Sequence, residues 1–298
     1  MSRRLFCFGL GYTAMALARS LAAEDWRIAG TTRDPAKQAR LAAEGFAMHR
    51  FDRDRPLEGP AAALAGATHV LASIAPDAAG DPVLAHHLAD LRRCAGLAWV
   101  GYLGTTGVYG DRGGAWVDEA AAVAPTMPRT RRRVAAEGHW QASGLPVHVF
   151  RLAGIYGPGP GRNALEAVRA GTARRIVKPG QVFGRVHVDD IVQVLRASMA
   201  RSNPGAVYNV ADDEPAPPQD VVAFACALLG VEPPPEVPYE EAELSPMAQS
   251  FYADNRRIDN ARIKGELGVR LRHPTYREGL RAILEQEIQS TAADSASL

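Results

Sequence analysis

The stretch that most constrains this chain is Phe8-Gly9-Leu10-Gly11-Tyr12-Thr13-Ala14. Before it, Arg4 to Phe8 is an apolar run long enough for one buried strand. After it, Thr13 to Ala23 is rich in Ala, Leu and Met and reads as a helix, and Trp26 to Thr32 reads as a second strand. A glycine turn between a strand and a helix, within a unit of about thirty residues, is the setting in which a dinucleotide pyrophosphate is held. Gly9 permits the tight turn. Gly11 lacks a Cβ, so a phosphate can approach the backbone, and Ala14 lets the helix pack close to the strand. The helix N-terminus then offers free N–H groups and the positive end of its dipole. Gly9, Gly11, Tyr12 and Thr13 are the expected contacts at this end of a cofactor.

The end of the second strand bears on which cofactor. A carboxylate there would hold a ribose 2′-OH. This chain has Gly30-Thr31-Thr32-Arg33 instead. A guanidinium can hold a 2′-phosphate through two parallel bonds, with the threonine hydroxyls assisting. Thr32 and Arg33 therefore favour NADP(H) over NAD(H). The alternative is a solvated Arg33 neutralised by Asp34.

At 298 residues, the chain can bury a large core. A net charge of +1, with no long block of one sign, argues against nucleic acid or an anionic membrane as the main partner. Cys7, Cys94 and Cys226 are far apart, with no metal-ligand spacing; no metal is expected, and the thiols read as buried groups in a reducing cytoplasm. Ser2-Arg3-Arg4 and the apolar run after it have the look of a signal peptide, but Gly9, Gly11 and the charges from Arg19 onward fit a strand, turn and helix better. No stretch has the length of a membrane span.

Strand and helix patterns alternate onward. Strands are expected at Ala47 to Phe51, His69 to Ile74 and Ala98 to Gly104, with helices at 57–65 and Asp81 to Ala95. That alternation predicts an α/β fold with a doubly wound parallel sheet of Rossmann type, and ligand beyond the strand C-termini. Asp52, Ser73 and Ala75 then fall near adenine and ribose. Residues 110–128 read as a long loop, and Arg129 to Ser143 as a helix whose Arg131, Arg132 and Arg133 cannot all face one way. A sixth strand spans Val147 to Leu152. Residues 154–161 look too rich in Gly and Pro for regular structure. Gly184 to Asp190 reads as a strand entering a helix capped by Asp189 or Asp190. Val207 to Val210 is a late strand, Tyr276 to Gln289 a final helix, and Ser290 to Leu298 a frayed end. The expected division is a cofactor-binding core over 1–155, to which segments near 182–212 return, and a smaller discontinuous C-terminal substrate lobe over 156–298.

Several short motifs together resemble an extended, atypical short-chain dehydrogenase/reductase of the NAD-dependent epimerase/dehydratase group. They are the glycine turn, Gly104-Thr105-Thr106-Gly107-Val108-Tyr109-Gly110, the acidic pair Asp118-Glu119, Arg151-Leu152-Ala153-Gly154-Ile155-Tyr156-Gly157-Pro158, Val186-His187-Val188-Asp189-Asp190, and Tyr208-Asn209-Val210. The resemblance covers nearly the whole chain and implies hydride transfer between nicotinamide and a carbonyl or alcohol carbon, with a nucleotide-sugar-like molecule as one candidate substrate. It also implies a homodimer through helices on one side of the sheet.

The chain departs from this group at the chemistry. Where the family has Tyr-x-x-x-Lys, this chain has Arg129 and Arg133. Arg133 can hold ribose hydroxyls, but a guanidinium stays protonated, so Arg129 cannot exchange a proton near neutral pH. The expected catalytic set is Thr105, Tyr109 and Arg133, with Tyr109 a candidate replacement acid and Thr105 orienting a substrate oxygen. The expected substrate set is Arg129, Arg151, Tyr156, Arg185 and His187. Four of these have structural alternatives: Tyr109 as a packed tyrosine, Arg151 and Arg185 in structural ion pairs, and His187 as a strand histidine bonded to a neighbouring backbone or to Asp189. The competing reading is a non-catalytic NADP-binding redox sensor or interaction module. Tyr109 or His187 pointing into an enclosed cleft favours the enzyme; Arg129 plugging the cleft, paired with Asp118 or Glu119, favours the sensor.

Overall fold

Leu5, Phe6, Cys7 and Phe8 are all fully buried. Side chains alternate along a strand, so four consecutive buried residues need cover on both faces of the sheet. The computed structural model, which describes residues 3–296, shows that cover. The N-terminal half alternates strand and helix: β1 (Arg4–Phe8), α1 (Tyr12–Ala22), β2 (Arg27–Thr32), α2 (Pro35–Ala43), β3 (Ala47–Arg50), α3 (Pro60–Ala63), β4 (His69–Ala72), α4 (Pro82–Arg92) and β5 (Trp99–Thr105). Next come β6 (Trp116–Val117), α5 (Pro128–Gln141), β7 (Val147–Leu152), β8 (Gly154–Tyr156), α6 (Ala164–Arg169), β9 (Arg175–Val177), β10 (Arg185–His187), α7 (Val188–Ala200) and β11 (Val207–Val210). The chain continues with α8 (Pro218–Leu229), β12 (Glu236–Pro238), α9 (Pro246–Tyr252), β13 (Arg257–Ile258), α10 (Ala261–Gly265) and α11 (Tyr276–Ala296).

Seven strands form one parallel sheet in the order β11-β7-β5-β4-β1-β2-β3. Leu5 and Cys7 pack with Leu17 of α1 and Ile191 of α7 on one face. Phe6 and Phe8 pack with Leu91 of α4 and Trp140 of α5 on the other. This is the doubly wound α/β architecture. Strand order reverses at β1, and the C-terminal strand ends share one edge, where such folds bind ligand. A separate cluster of Tyr156, Leu165, Val221, Tyr276 and Leu280 joins β8, α6, α8 and α11.

Several expectations change. The glycine- and proline-rich stretch after β7 does contain a strand, because Ile155 and Tyr156 pair in parallel with β10. The loop over 110–128 contains β6, which pairs with β13. The helix expected over 57–65 shrinks to α3. The His187 ring, not Asp189 or Asp190, caps α7 by accepting from Asp189 N; the Asp190 carboxylate accepts instead from the backbone N–H groups of Arg272 and His273. The final helix runs on to Ala296, through alanine-rich sequence of high helix propensity. Positions 297 and 298, the end of the stretch expected to fray, lie outside the described residues. Cys7 and Cys226 are buried and Cys94 partly so, all as free thiols. Among the described residues, no helix is long and apolar enough to cross a membrane.

Candidate functional site: a nucleotide cradle opening onto a cleft

β1 ends in a turn that only glycine fits. Gly9 has φ +85°, and a Cβ there would lie 2.8 Å from Ile74 Cγ1. Its N–H donates to Thr31 Oγ1 at 2.8 Å, and Leu10 N–H to Thr31 O at 2.9 Å, so β2 holds the turn. Thr31 is fully buried. Its hydroxyl serves the fold, and the expectation that it assists a 2′-phosphate is not met.

Gly11 is the N-cap of α1 and caps it with no side chain. A Cβ at Gly11 would meet nothing within 4 Å. The space above the helix start is therefore open, and the first N–H groups of α1 have no acceptor within the helix. Such a cradle fits a pyrophosphate. Thr13 is buried beside it. The Tyr12 hydroxyl donates to Pro158 O at 2.9 Å, and the Arg162 guanidinium lies 4.5 Å from the Tyr12 ring centroid. These contacts fix the 157–162 loop against the cradle and bring a cation there that sequence reasoning missed.

At the end of β2, Thr32 Oγ1 accepts from Asp34 N–H at 3.2 Å. The Asp34 carboxylate caps α2 by accepting from Ala36 N and Lys37 N. Asp34 is thus committed elsewhere, and Arg33 is exposed with no ion pair or side-chain hydrogen bond among the described residues. Arg50 sits opposite Thr32 in the β2–β3 register, its buried Nε without a partner. Asp52 Oδ1 accepts from Asp54 N, so that carboxylate shapes its own turn. Ser73 N–H donates to Phe8 O at 2.9 Å, which places it beside the glycine turn.

The same sheet edge opens into a cleft of about 660 Å³. Ala75, Thr105, Arg129, Arg133, Tyr156 and Arg185 line it. Thr105 Oγ1 caps the one-turn helix Thr106–Tyr109, accepting from Gly107 N at 3.1 Å. Arg133 reaches from α5 to donate to Leu103 O at 2.8 Å. Arg131 turns away to Thr126 O, and Arg132 is exposed, so the three arginines diverge as expected. Arg185 donates to Phe183 O and Ala216 O. The Tyr156 hydroxyl donates to Thr275 O at 3.4 Å, and burial pushes it far above the usual phenol range.

Arg129 takes a role its position did not reveal. Its Nη1 donates to Ser250 Oγ and Met247 Sδ, and its guanidinium lies 4.5 Å from the Phe251 ring centroid. It clamps α9 over the cleft. It pairs with neither Asp118, which caps a turn at Ala120 and Ala121, nor Glu119, which accepts from Asn209 N.

Three residues of the expected catalytic and substrate sets lie outside the cleft lining. Tyr109 is fully buried; it donates to Asn209 Oδ1 at 2.7 Å and accepts from Arg151 Nη1 at 2.8 Å. Arg151 is buried too, held by both Glu137 carboxylate oxygens. Packing and ion pairing account for both. His187 caps α7, and burial, aided by the charge of His273, pulls its pKa down to about 4. Beside it, His187, Asp189 and His273 bring possible ligand atoms within 4.8 Å of one another. The cap already uses the Nδ1 lone pair of His187, and Arg272 lines the hollow next to Asp189.

This is the fold of the NAD-dependent epimerase/dehydratase proteins, the extended short-chain dehydrogenase/reductases. It is shared with dTDP-glucose 4,6-dehydratase from Bacillus anthracis str. Ames in complex with NAD, at TM-score 0.76 and 16% identity over 97% of each chain. UDP-glucuronic acid 4-epimerase from Bacillus cereus, in complex with NAD, superposes at TM-score 0.73, with 16% identity over 95% of this chain and 96% of that one. More specifically, the chain belongs to one family with a functionally unknown conserved protein from Silicibacter pomeroyi DSS: 53% identity, TM-score 0.87, and 96% and 99% of the two chains covered. Protein YeeZ of Escherichia coli K12 is 27% identical over 288 residues, covering 91% of this chain and 97% of its own. No family model matches the chain.

Proposed function

We propose that this chain is an oxidoreductase or epimerase-like enzyme that uses NADP(H) in preference to NAD(H). The observation that carries the reading is the open cradle at Gly11 on the same sheet edge as the cleft. Gly9, Gly11 and the α1 N-terminus would hold the pyrophosphate, with Arg162 as added charge. Arg33, free of Asp34, would take the 2′-phosphate, and Arg133 the nicotinamide ribose. The fold relatives bound to NAD support a nicotinamide cofactor in this family of folds. When bound, that cofactor supplies or accepts a hydride. The chain's own part is to orient the carbonyl or alcohol with Thr105, exclude water beneath α9 and move one proton. The substrate is a small carbonyl or alcohol, with nucleotide-sugar-like molecules the leading class.

One observation favours the non-catalytic reading: Arg129 stands where the family's acid would stand, and neither Tyr109 nor His187 lines the cleft. The experiment separating the two is isotope transfer. The protein is incubated with NADPH deuterated at C4 and a panel of ketones, aldehydes and keto nucleotide sugars. Deuterium appearing in a product supports the enzyme. NADPH binding without transfer to any panel member favours the sensor.

A further inference from the structure

If the cleft carries out hydride chemistry, it needs a proton donor that can give up its proton. Its hydroxyls and acids can be taken in turn. Thr130 donates to Met127 O at 2.9 Å and Ser250 to Met247 O at 2.6 Å. Tyr156 donates to Thr275 O. Asp254 accepts from Thr126 Oγ1 at 2.8 Å and pairs with Arg256 at 3.2 Å. Thr105 and Thr106 are aliphatic alcohols, far weaker acids than a phenol. Tyr252 remains. It lines the cleft, and its hydroxyl has no hydrogen-bond partner among the described residues.

The structure also positions that phenol. Tyr252 is the last residue of α9, the helix clamped by Arg129. Its ring is gripped by Phe183, edge-on at 5.2 Å, and by Tyr239, also at 5.2 Å. Its carbonyl accepts from Lys178 Nζ. Arg185 lines the same cleft, its guanidinium held by Phe183 O and Ala216 O. Burial raises the Tyr252 pKa, and the strongest opposing influence is the Arg185 charge. A phenol with a free hydroxyl, its ring held in place and a cation lining the same cleft, has what a general acid–base group needs.

We infer that Tyr252 is the general acid–base residue of this cleft, supported by Arg185, with Arg129 a positioning residue that holds α9 over the site. The inference rests on the oxidoreductase reading. In the reducing direction, a hydride from the reduced nicotinamide cofactor adds to the carbonyl carbon, and the π pair moves to the carbonyl oxygen. That oxygen takes the Tyr252 proton, and the phenolate left in the cleft that Arg185 also lines regains a proton from water. Oxidation runs the same steps in reverse.

The test uses the full chain labelled with 13Cζ-tyrosine. The Tyr252 signal is assigned as the one missing from Tyr252→Phe among the chain's eight tyrosines. The probes are NADP+ and NADPH. The expected result is that wild type and Tyr252→Phe bind both with similar affinity, while the Tyr252 signal moves on binding and titrates at lower pH with NADP+, whose nicotinamide ring is cationic, than with NADPH. Arg185→Met should shift that titration upward. In the isotope assay, Tyr252→Phe should slow transfer by about a hundredfold or more. Cofactor binding with an unmoved Tyr252 signal, or transfer undiminished in Tyr252→Phe, overturns the assignment and leaves the oxidoreductase reading standing. Binding of neither cofactor overturns both.

Discussion

Tyr109→Phe separates structure from catalysis at the position where sequence pointed to a replacement acid. The substitution removes one oxygen and leaves the ring in place. It breaks the 2.7 Å bond to Asn209 Oδ1 and the 2.8 Å bond from Arg151 Nη1. A neutral hydrogen bond contributes about 1 kcal/mol net and one to a charged group about 1.5–3 kcal/mol. Both partners are buried and would be left unsatisfied, so a loss of about 2–4 kcal/mol follows. For a chain of 298 residues, that is a fall in Tm of about 3–6 °C. Urea unfolding gives the free energy, and titration with NADPH gives the site readout. The account expects reduced stability with NADPH affinity and deuterium transfer within about twofold of wild type once the folded fraction is matched. Unchanged stability, or lost transfer in a fully folded variant, would refute the argument that Tyr109 is a packing residue joined to Arg151. Glu137→Ala should cost more, about 3–5 kcal/mol, since it leaves the buried Arg151 unpaired.

Other consequences bear on the cleft and its walls. Gly11→Ala should leave stability within about 1 kcal/mol of wild type, since its φ of −83° suits any residue and a Cβ meets nothing, yet weaken NADP(H) binding at least tenfold by filling the cradle; calorimetry with matched unfolding curves checks both. Asp212 is buried, neither of its oxygens has a hydrogen-bond partner among the described residues, and burial raises its pKa to about 8 against the opposing Arg185 charge. The folded state therefore keeps a proton that the unfolded state loses near pH 4, and stability falls as pH rises from about 4 to about 8, by about 4 kcal/mol at pH 7. Asp212→Asn should abolish that slope in unfolding curves taken across the window; a slope equal to wild type would contradict the assignment. Arg129→Ala should release α9, raising hydrogen exchange over 246–252 by about tenfold.

The sequence and the structure agree where local chemistry decides the outcome. β1, the glycine turn and α1 were legible because strand, turn and helix signals sit side by side, and β7 and β11 were found with their ends correct. The short strands β9 and β12, and β6 and β13, carried no readable period, because two- and three-residue strands exist only through partners far along the chain. The α7 cap was assigned to Asp189 or Asp190 because an imidazole can cap a helix as a carboxylate does, whereas the structural alternative for His187, a strand histidine bonded to the neighbouring backbone, is what the structure shows. The loss of the family tyrosine at Arg129 was visible. Its replacement was not, since Tyr252 reaches the cleft only through the fold of α9, about 120 residues later in a stretch with no motif.

The central claim is that Gly11 and Arg33 form the two ends of an NADP(H) phosphate site. Calorimetric titration with NADP+, NADPH, NAD+ and NADH, repeated on Arg33→Ala, tests it most directly. The account predicts that NADP(H) binds more tightly than NAD(H), and that Arg33→Ala weakens NADP(H) alone by a factor of ten or more, since a charged phosphate contact contributes about 1.5–3 kcal/mol. Binding of none of the four, or equal binding of all four unaffected by Arg33→Ala, would contradict it.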